Sequence, residues 1–599
     1  MFVLVFLMCF GCVVTGQEND IKVREEVPAP VTTHQMGTFR GTWMTSRRGR
    51  QFEAYRGIKY AYPPVGELRF QPPKPILHYE DVVDATEDGP ACPQTARAGY
   101  PISEDCLVVN VYTTGNNSTN LRPVIVYIHG GGFYSMSGRS DLIGPHYLLD
   151  KDVVLITFNY RLGALGFLAL GTELSPGNNG LKDQVMALRW VQKNIEAFGG
   201  DPNLVTITGC SAGSTSVMLH MISPMSEGLF HRAISMSGSP TKTRTPSNRL
   251  DLANKQARIV NCPANRPNAT KLLYECLKTK TWMELAGNRR EFFDFGYDPQ
   301  RLWTAVVEPD FGQERFLHVD PIDAIKEKKM HAVPFIIGMT KDEFFWKAFT
   351  IARNSTLMDR MEKHWDDIAP IAFDLPAKNS SDVDRPRALR STFLRGKKLT
   401  NDSITADRLG KLYGDSITAF AVHRMAVLMS IHSPHPVYYY GFFYIGNHSH
   451  YEDSSTRKPV GVAHLDDLIY LFTLSNRFPA IEVSDSEDSK MVDKMTTIWY
   501  NFAKTGDPNP GPGSSDLQST GPFTWPAMTL NNRTYLQIDK EFSVHTKLFE
   551  NRFEVWEDLY RMDYGSSRIE DENKEPINSA AWLHSSLYSI LICIIVIKH

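Results

Sequence analysis

Ser211 stands in Gly209-Cys210-Ser211-Ala212-Gly213, between the apolar, β-branched run Leu204–Thr208 and a segment, Ser214–Ile222, that reads as a helix. A serine on a strand-to-helix turn is the arrangement of a nucleophile elbow. The hydroxyl is held clear of the sheet in strained backbone geometry, and glycines two positions to either side keep side chains from colliding with neighbouring chain. The chemistry such a serine supports is attack on a carbonyl. Five residues alone say little: at glycine and serine usage of about 7% each, roughly one chain of this length in five contains the pattern by chance. An elbow also requires an oxyanion loop before it, then an acid, then a histidine, in that order.

Each has a candidate. The strand-like run Val124–Ile128 leads into His129-Gly130-Gly131-Gly132-Phe133, where consecutive glycines let bare N–H groups close on a negatively charged oxygen. Gly131 and Gly132, with Ala212 after the serine, are the expected oxyanion donors. An isolated triple glycine reads as a turn, but a position about 80 residues before the elbow favours the oxyanion loop. Among 67 Asp and Glu residues, Glu343 stands out, just beyond the carboxyl end of Val333–Gly338. That run reads as a buried strand, and open α/β sheets place functional groups at such ends. Among 18 histidines, His464 is singled out because it sits in a short loop entering an apolar helix, which Asp466 and Asp467 are expected to cap. His331, His448 and His450 compete, without an equally ordered context.

These residues set the demands on the fold. Serine, acid and histidine are each more than a hundred residues apart, so a single catalytic domain has to span them, here taken as residues 17–560. The chain has 599 residues, 42% hydrophobic and 22% charged, enough for one large core. A net charge of −3, with no Lys/Arg cluster beside aromatics, gives no support for nucleic acid as a partner. No His/Cys/Asp group has metal-ligand spacing, and the glycine loops lack dinucleotide and Walker patterns, so neither metal nor cofactor is expected.

The ends read differently. Residues 1–16 are apolar and close on Val14-Thr15-Gly16, a signal peptide without the usual charged start. Residues 561–581 are polar and read as a stalk, and 582–599 form a hydrophobic tail, for which a GPI signal, a spanning helix and a buried end remain open. Eight Asn-x-Ser/Thr sequons, at Asn116, Asn117, Asn268, Asn354, Asn379, Asn401, Asn447 and Asn532, fit an exported, cell-surface or extracellular glycoprotein.

From about Val27 to Tyr560 the chain resembles the type-B carboxylesterases, the α/β-hydrolase family that also holds the cholinesterases and the non-catalytic neuroligins. The resemblance rests on Tyr55-Arg56-Gly57-Ile58, Pro63-Pro64-Val65-Gly66, Ser103–Leu107, the triple-glycine loop, Asn159–Gly163, Gly177–Gln184 and Trp190–Pro202. It continues through the elbow, Ser235–Ser239, Lys341-Asp342-Glu343 and the His464 segment. It implies an α/β fold, a large, mostly parallel central sheet with helices on both faces. It also implies a triad of Ser211, Glu343 and His464, with Ser237 near the histidine as a supporting group. Cys92 with Cys106 and Cys262 with Cys276 are the simplest disulfide pairs, each closing a loop of about 15 residues that contributes roughly 3 kcal/mol, and the resemblance implies the same pairs. Cys210 is left unpaired beside the serine and is expected to line the pocket; if it is accessible there, mercurials should slow the enzyme.

Two departures bear on substrate. Cholinesterases carry a tryptophan in the first disulfide loop, over which a quaternary ammonium can sit; between Cys92 and Cys106 this chain has only Tyr100 among aromatics. They also place glutamate just before the serine, where this chain has Cys210. The resemblance is nearer to insect carboxylesterases. The expected function is hydrolysis of neutral or apolar carboxylic esters by water through an acyl-enzyme on Ser211, with weak or no acetylcholine turnover. The alternative is a cholinesterase-like cell-surface adhesion protein.

Overall fold

The apolar runs around 124–128, 204–208 and 333–338 become strands of one sheet, in a computed structural model that describes residues 28–95, 99–115, 120–240, 250–264, 270–375, 384–511 and 523–560. The expected signal peptide, stalk and tail lie outside the described residues, as do Asn116, Asn117, Asn268 and Asn379.

Seven parallel strands form the centre of the sheet: β1 (Arg122–Ile128), β2 (Val154–Phe158), β3 (Gly200–Cys210), β4 (Arg232–Met236), β5 (Phe335–Thr340), β6 (Val437–Phe442) and β7 (Thr534–Ile538). Their spatial order is β7-β6-β5-β4-β3-β1-β2, and antiparallel strands extend both edges to make eleven. β5 starts two residues later than the apolar run suggests, after Pro334, which has no N–H to give the ladder. β3 starts earlier, at Gly200, because Gly200 pairs with Arg122 of β1.

Parallel strands are covered on both faces, which is why they read as continuous apolar runs. Alternate residues of β1 feed two separate cores: Val124, Val126 and Ile128 pack into one, Ile125 and Tyr127 into the other. Helices α1 (Asn179–Asn194) and α2 (Ala212–Ile222) carry many of the first core's apolar residues.

Two motif segments act as fasteners here. The Arg161 guanidinium donates to both carboxylate oxygens of Asp183 on α1, at 2.7 and 2.6 Å, and its backbone N–H adds a third bond at 3.0 Å. Lys182 reaches Glu308 at 2.6 Å, and Asn178 donates to the same carboxylate. All four charged side chains are buried: the first pair ties the exit of β2 to the start of α1, the second ties the start of α1 to the segment between β4 and β5, each at a cost of desolvation that the pairing offsets. Disulfides join Cys92 to Cys106 and Cys262 to Cys276. Among the described residues no helix is long and apolar enough to cross a membrane.

Candidate active site

The chain order crosses over at β1, whose neighbours are β2 on one side and β3 on the other. Such a switch point opens a crevice at the carboxyl ends of the strands. Ile128 pairs with Gly209, so the triple-glycine loop and the serine turn leave the sheet side by side. Ser211 adopts φ 60°, ψ −118°, a strained conformation for a residue with a side chain, and its N–H is held by Met236 O at 2.8 Å. A Cβ on Gly209 would stand 2.5 Å from the Gly213 carbonyl carbon, and one on Gly213 would stand 2.0 Å from Ile128 O. Only glycine fits at either position. α2 begins directly at Ala212, two residues before the expected start, leaving that N–H in the unpaired first turn.

The opposing loop is set by Tyr160, whose hydroxyl donates to His129 O at 2.8 Å and whose ring stacks on the His129 imidazole at 4.3 Å. Burial pushes that imidazole down to about 4, so it is neutral. Gly131 and Gly132 follow with positive φ, and among the described residues neither N–H has an acceptor.

Glu343 lies on the turn after β5, 3% exposed. Its Oε1 accepts from Thr340 N–H at 3.1 Å, and its Oε2 stands 2.6 Å from Nδ1 of His464. The two come from segments 121 positions apart, and Asp342 is what joins them. Its N–H donates to Val462 O and its carboxylate accepts from Val462 N–H, both at 3.0 Å, stitching the loop of the histidine to the turn of the glutamate. Phe344 packs against the imidazole at 4.2 Å between centroids.

Asp466 and Asp467 do not cap a helix through their side chains. The element is a short 3-10 turn, Asp466–Tyr470, entered through Leu465 at φ 79°, and both carboxylates are drawn inward. Asp466 accepts from Ala463 N–H, Ser449 Oγ and His450 N–H, and pairs with Nδ1 of His450 at 3.1 Å. Of the competing histidines, His450 thus faces the same cavity as His464, His448 turns to Glu452, and His331 bonds Phe230 O.

Asp467 takes a hydrogen bond from Tyr440 at 2.9 Å, while its Oδ1 is buried with no partner among the described residues. Burial, opposed by the Tyr440 bond and reinforced by the Glu343 charge, pushes this carboxyl up to about 7. A raised carboxyl is accommodated as the neutral acid, so its favourable contribution is full at low pH and is lost as pH rises from about 4 towards 7. Asp467→Asn removes that loss. Between pH 5 and pH 8 the stability of the variant relative to wild type should improve by about 2 kcal/mol, read from urea melts at the two pH values; an unchanged difference refutes it.

Ser211, Gly131, Gly132, Ala212, Ser237 and His464 all line one cavity of about 640 Å³, a size suited to a small organic ligand. Segments between β4 and β5, and between β5 and β6, supply much of its wall, among them Trp303, Phe344, Trp346 and Ile351. No hydrogen bond joins Ser211 Oγ to His464 here, and such contacts are commonly loose before substrate binds. Ser237 also faces the cavity, with φ 57° and a buried hydroxyl that has no partner among the described residues.

Cys210 is not on the cavity wall. It has the same strand parity as Thr206 and Thr208 and points into the second core, 0% exposed, beside Ile234 and Met236. Burial, with the charges of Asp467 and Glu343, pushes the thiol far up, and a fully buried thiol gives mercurials no access. Tyr100 is away from the cavity as well, its ring under the Arg139 guanidinium. Among the described residues no three His, Cys, Asp or Glu side chains form a metal-binding group.

Fold and site together define an α/β-hydrolase, with a serine turn and a glycine loop at the switch point of the sheet. Residues 28–556 match the carboxylesterase family, and the chain belongs to it. It is a carboxylic ester hydrolase by class. It is 36% identical over 501 residues to juvenile hormone esterase of Tribolium castaneum, covering 80% of this chain and 84% of that one. It is 35% identical over 500 residues to a carboxylic ester hydrolase of Bombus ignitus, covering 81% and 86%. The crystal structure of juvenile hormone esterase from Manduca sexta, with OTFP covalently attached, superposes with a TM-score of 0.77 at 28% identity, over 89% of this chain and all of that one.

Proposed function

We propose that the protein is a serine carboxylesterase in which Ser211 is the nucleophile, His464 the base and Glu343 the acid. The observation that carries this is the 2.6 Å contact of Glu343 Oε2 with His464 Nδ1, which leaves Nε2 of the ring for the cavity it shares with Ser211. His464 takes the Ser211 proton as the oxygen attacks the ester carbonyl, and Glu343 holds the tautomer and stabilises the imidazolium. Gly131, Gly132 and Ala212 N–H groups receive the oxyanion. The alcohol leaves with the proton from His464; water then attacks the acyl-enzyme by the same route and releases the acid.

Neutral or apolar esters, rather than acetylcholine, fit this reading. The aromatic wall suits an apolar group, and a quaternary ammonium finds neither the tryptophan nor the glutamate that cholinesterases offer it. Export as one catalytic domain of residues 17–560, with a signal peptide before it and attachment through the tail, is part of the proposal. It is supported by two disulfides and by the exposure of Asn354, Asn401, Asn447 and Asn532. The test is covalent labelling: purified protein should hydrolyse a short p-nitrophenyl ester, be labelled at Ser211 by an organophosphate, and turn over acetylcholine weakly or not at all. Absence of both label and hydrolysis would favour the adhesion reading, and rapid acetylcholine turnover would overturn the substrate assignment.

A further inference from the structure

One side of the cavity carries a hydrogen-bonded belt that ester hydrolysis itself does not use. Tyr413 donates to Asp298 at 2.9 Å, Asp298 pairs with Lys347 at 2.7 Å, and Lys347 reaches Gln300 at 3.3 Å. Gln300 donates to the Tyr134 hydroxyl at 3.2 Å, and Arg289 donates to the same oxygen at 2.7 Å. All six side chains line the cavity. Charge along the belt does not cancel. Lys347 has Asp298, and the neighbouring Arg301 has Asp374 at 3.3 Å. Arg289 is partly buried, yet among the described residues no carboxylate lies within ion-pair distance of it.

A guanidinium drawn partly out of bulk water without a counter-ion is costly, and here Nε is buried with no partner among the described residues. Here it is held in place by rings, 4.0 Å from the centroid of Tyr134 and 5.2 Å from that of Phe293. Its position relative to the chemistry follows from Tyr134, whose ring would meet a Cβ on Gly132 at 2.6 Å. The cation is therefore one aromatic ring beyond the glycine loop. Among the described residues only one of its five donors has a protein acceptor, so a planar anion can take a forked pair of bonds.

We infer that the cavity prefers carboxylic esters bearing a second, free carboxylate a few atoms from the scissile carbonyl, and that Arg289 receives it. This rests on the esterase reading above and adds to it a selective subsite, since neutral esters still fit the aromatic wall. Arg289 determines specificity and takes no part in proton transfer.

The probes are p-nitrophenyl hydrogen adipate and p-nitrophenyl hexanoate, which match in chain length and differ by the carboxylate. Wild-type enzyme should show kcat/KM at least about tenfold higher for the adipate, carried by KM, as for a charge-assisted pair, and the preference should shrink with added salt. In Arg289→Met the adipate-to-hexanoate ratio should fall to about one or below, and Arg289→Lys should recover part of it. A wild-type ratio at or below one overturns the inference while hexanoate hydrolysis leaves the esterase reading intact; failure of both esters, with no organophosphate label, overturns the esterase reading instead. A high ratio that survives in Arg289→Met also overturns the assignment to this residue.

Discussion

Ser211→Ala is expected to lower kcat for a p-nitrophenyl ester by roughly 10⁶-fold and to abolish organophosphate labelling. The cause is loss of the covalent route: the imidazole of His464 keeps its partner Glu343 but has no hydroxyl to activate. A residual acceleration of roughly 10³–10⁴ over water should persist, since the N–H groups of Gly131, Gly132 and Ala212 and the cavity wall are untouched. The fold should survive, because alanine removes only an oxygen that makes no hydrogen bond among the described residues, and the backbone strain at φ 60° is already held by the Ser211 N–H bond to Met236 O. The check is steady-state kinetics and mass spectrometry of the labelled protein, with a thermal melt to confirm folding. A folded Ser211→Ala that keeps a tenth of the wild-type rate would place the nucleophile elsewhere.

The parts of this site that sequence shows are those whose physics is local. The serine turn needs glycines two residues to either side because the adjoining chain passes within 3 Å of where their side chains would be, and that need is written in five consecutive positions. The triple glycine is local in the same way. His464 and Glu343 were legible from their local context, their order along the chain and the family resemblance, but not as a contact. Their meeting depends on Asp342, a residue of the Lys-Asp-Glu motif whose stitching to Val462 involves a loop 120 positions away. The inward turn of Asp466 and Asp467 was hidden for a related reason: acidic residues before an apolar run read as a cap, and only tertiary partners such as Ser449 and Tyr440 draw them inside. Cys210 is different, because the signal was present. Val205 and Ile207 face one core, so strand alternation already places residue 210 on the other. The Arg289 belt had no such signal. Its members come from four separate segments, around Tyr134, Arg289–Gln300, Lys347 and Tyr413, with no shared period.

Glu343→Gln should lower kcat by roughly 10⁴-fold while barely changing KM. The size follows from which way the new amide must point. Glu343 Oε1 accepts from Thr340 N–H at 3.1 Å, so the amide oxygen takes that place and the NH₂ group faces Nδ1 of His464. Nδ1 then has to be an acceptor, which moves the ring proton to Nε2, the nitrogen that must take the proton of Ser211. The imidazole is left in the tautomer that cannot act as the base, and the imidazolium loses its carboxylate. Glu343→Asp keeps the charge but shortens the reach, so it should retain more activity than the amide despite the larger change in shape. The measurement is kcat and KM for one p-nitrophenyl ester across pH 6–9, with the thermal melts of both variants. A folded Glu343→Gln within tenfold of wild type, or a Glu343→Asp less active than it, would show that Glu343 is a structural neighbour of His464 and that its charge and tautomer control do not contribute to the reaction.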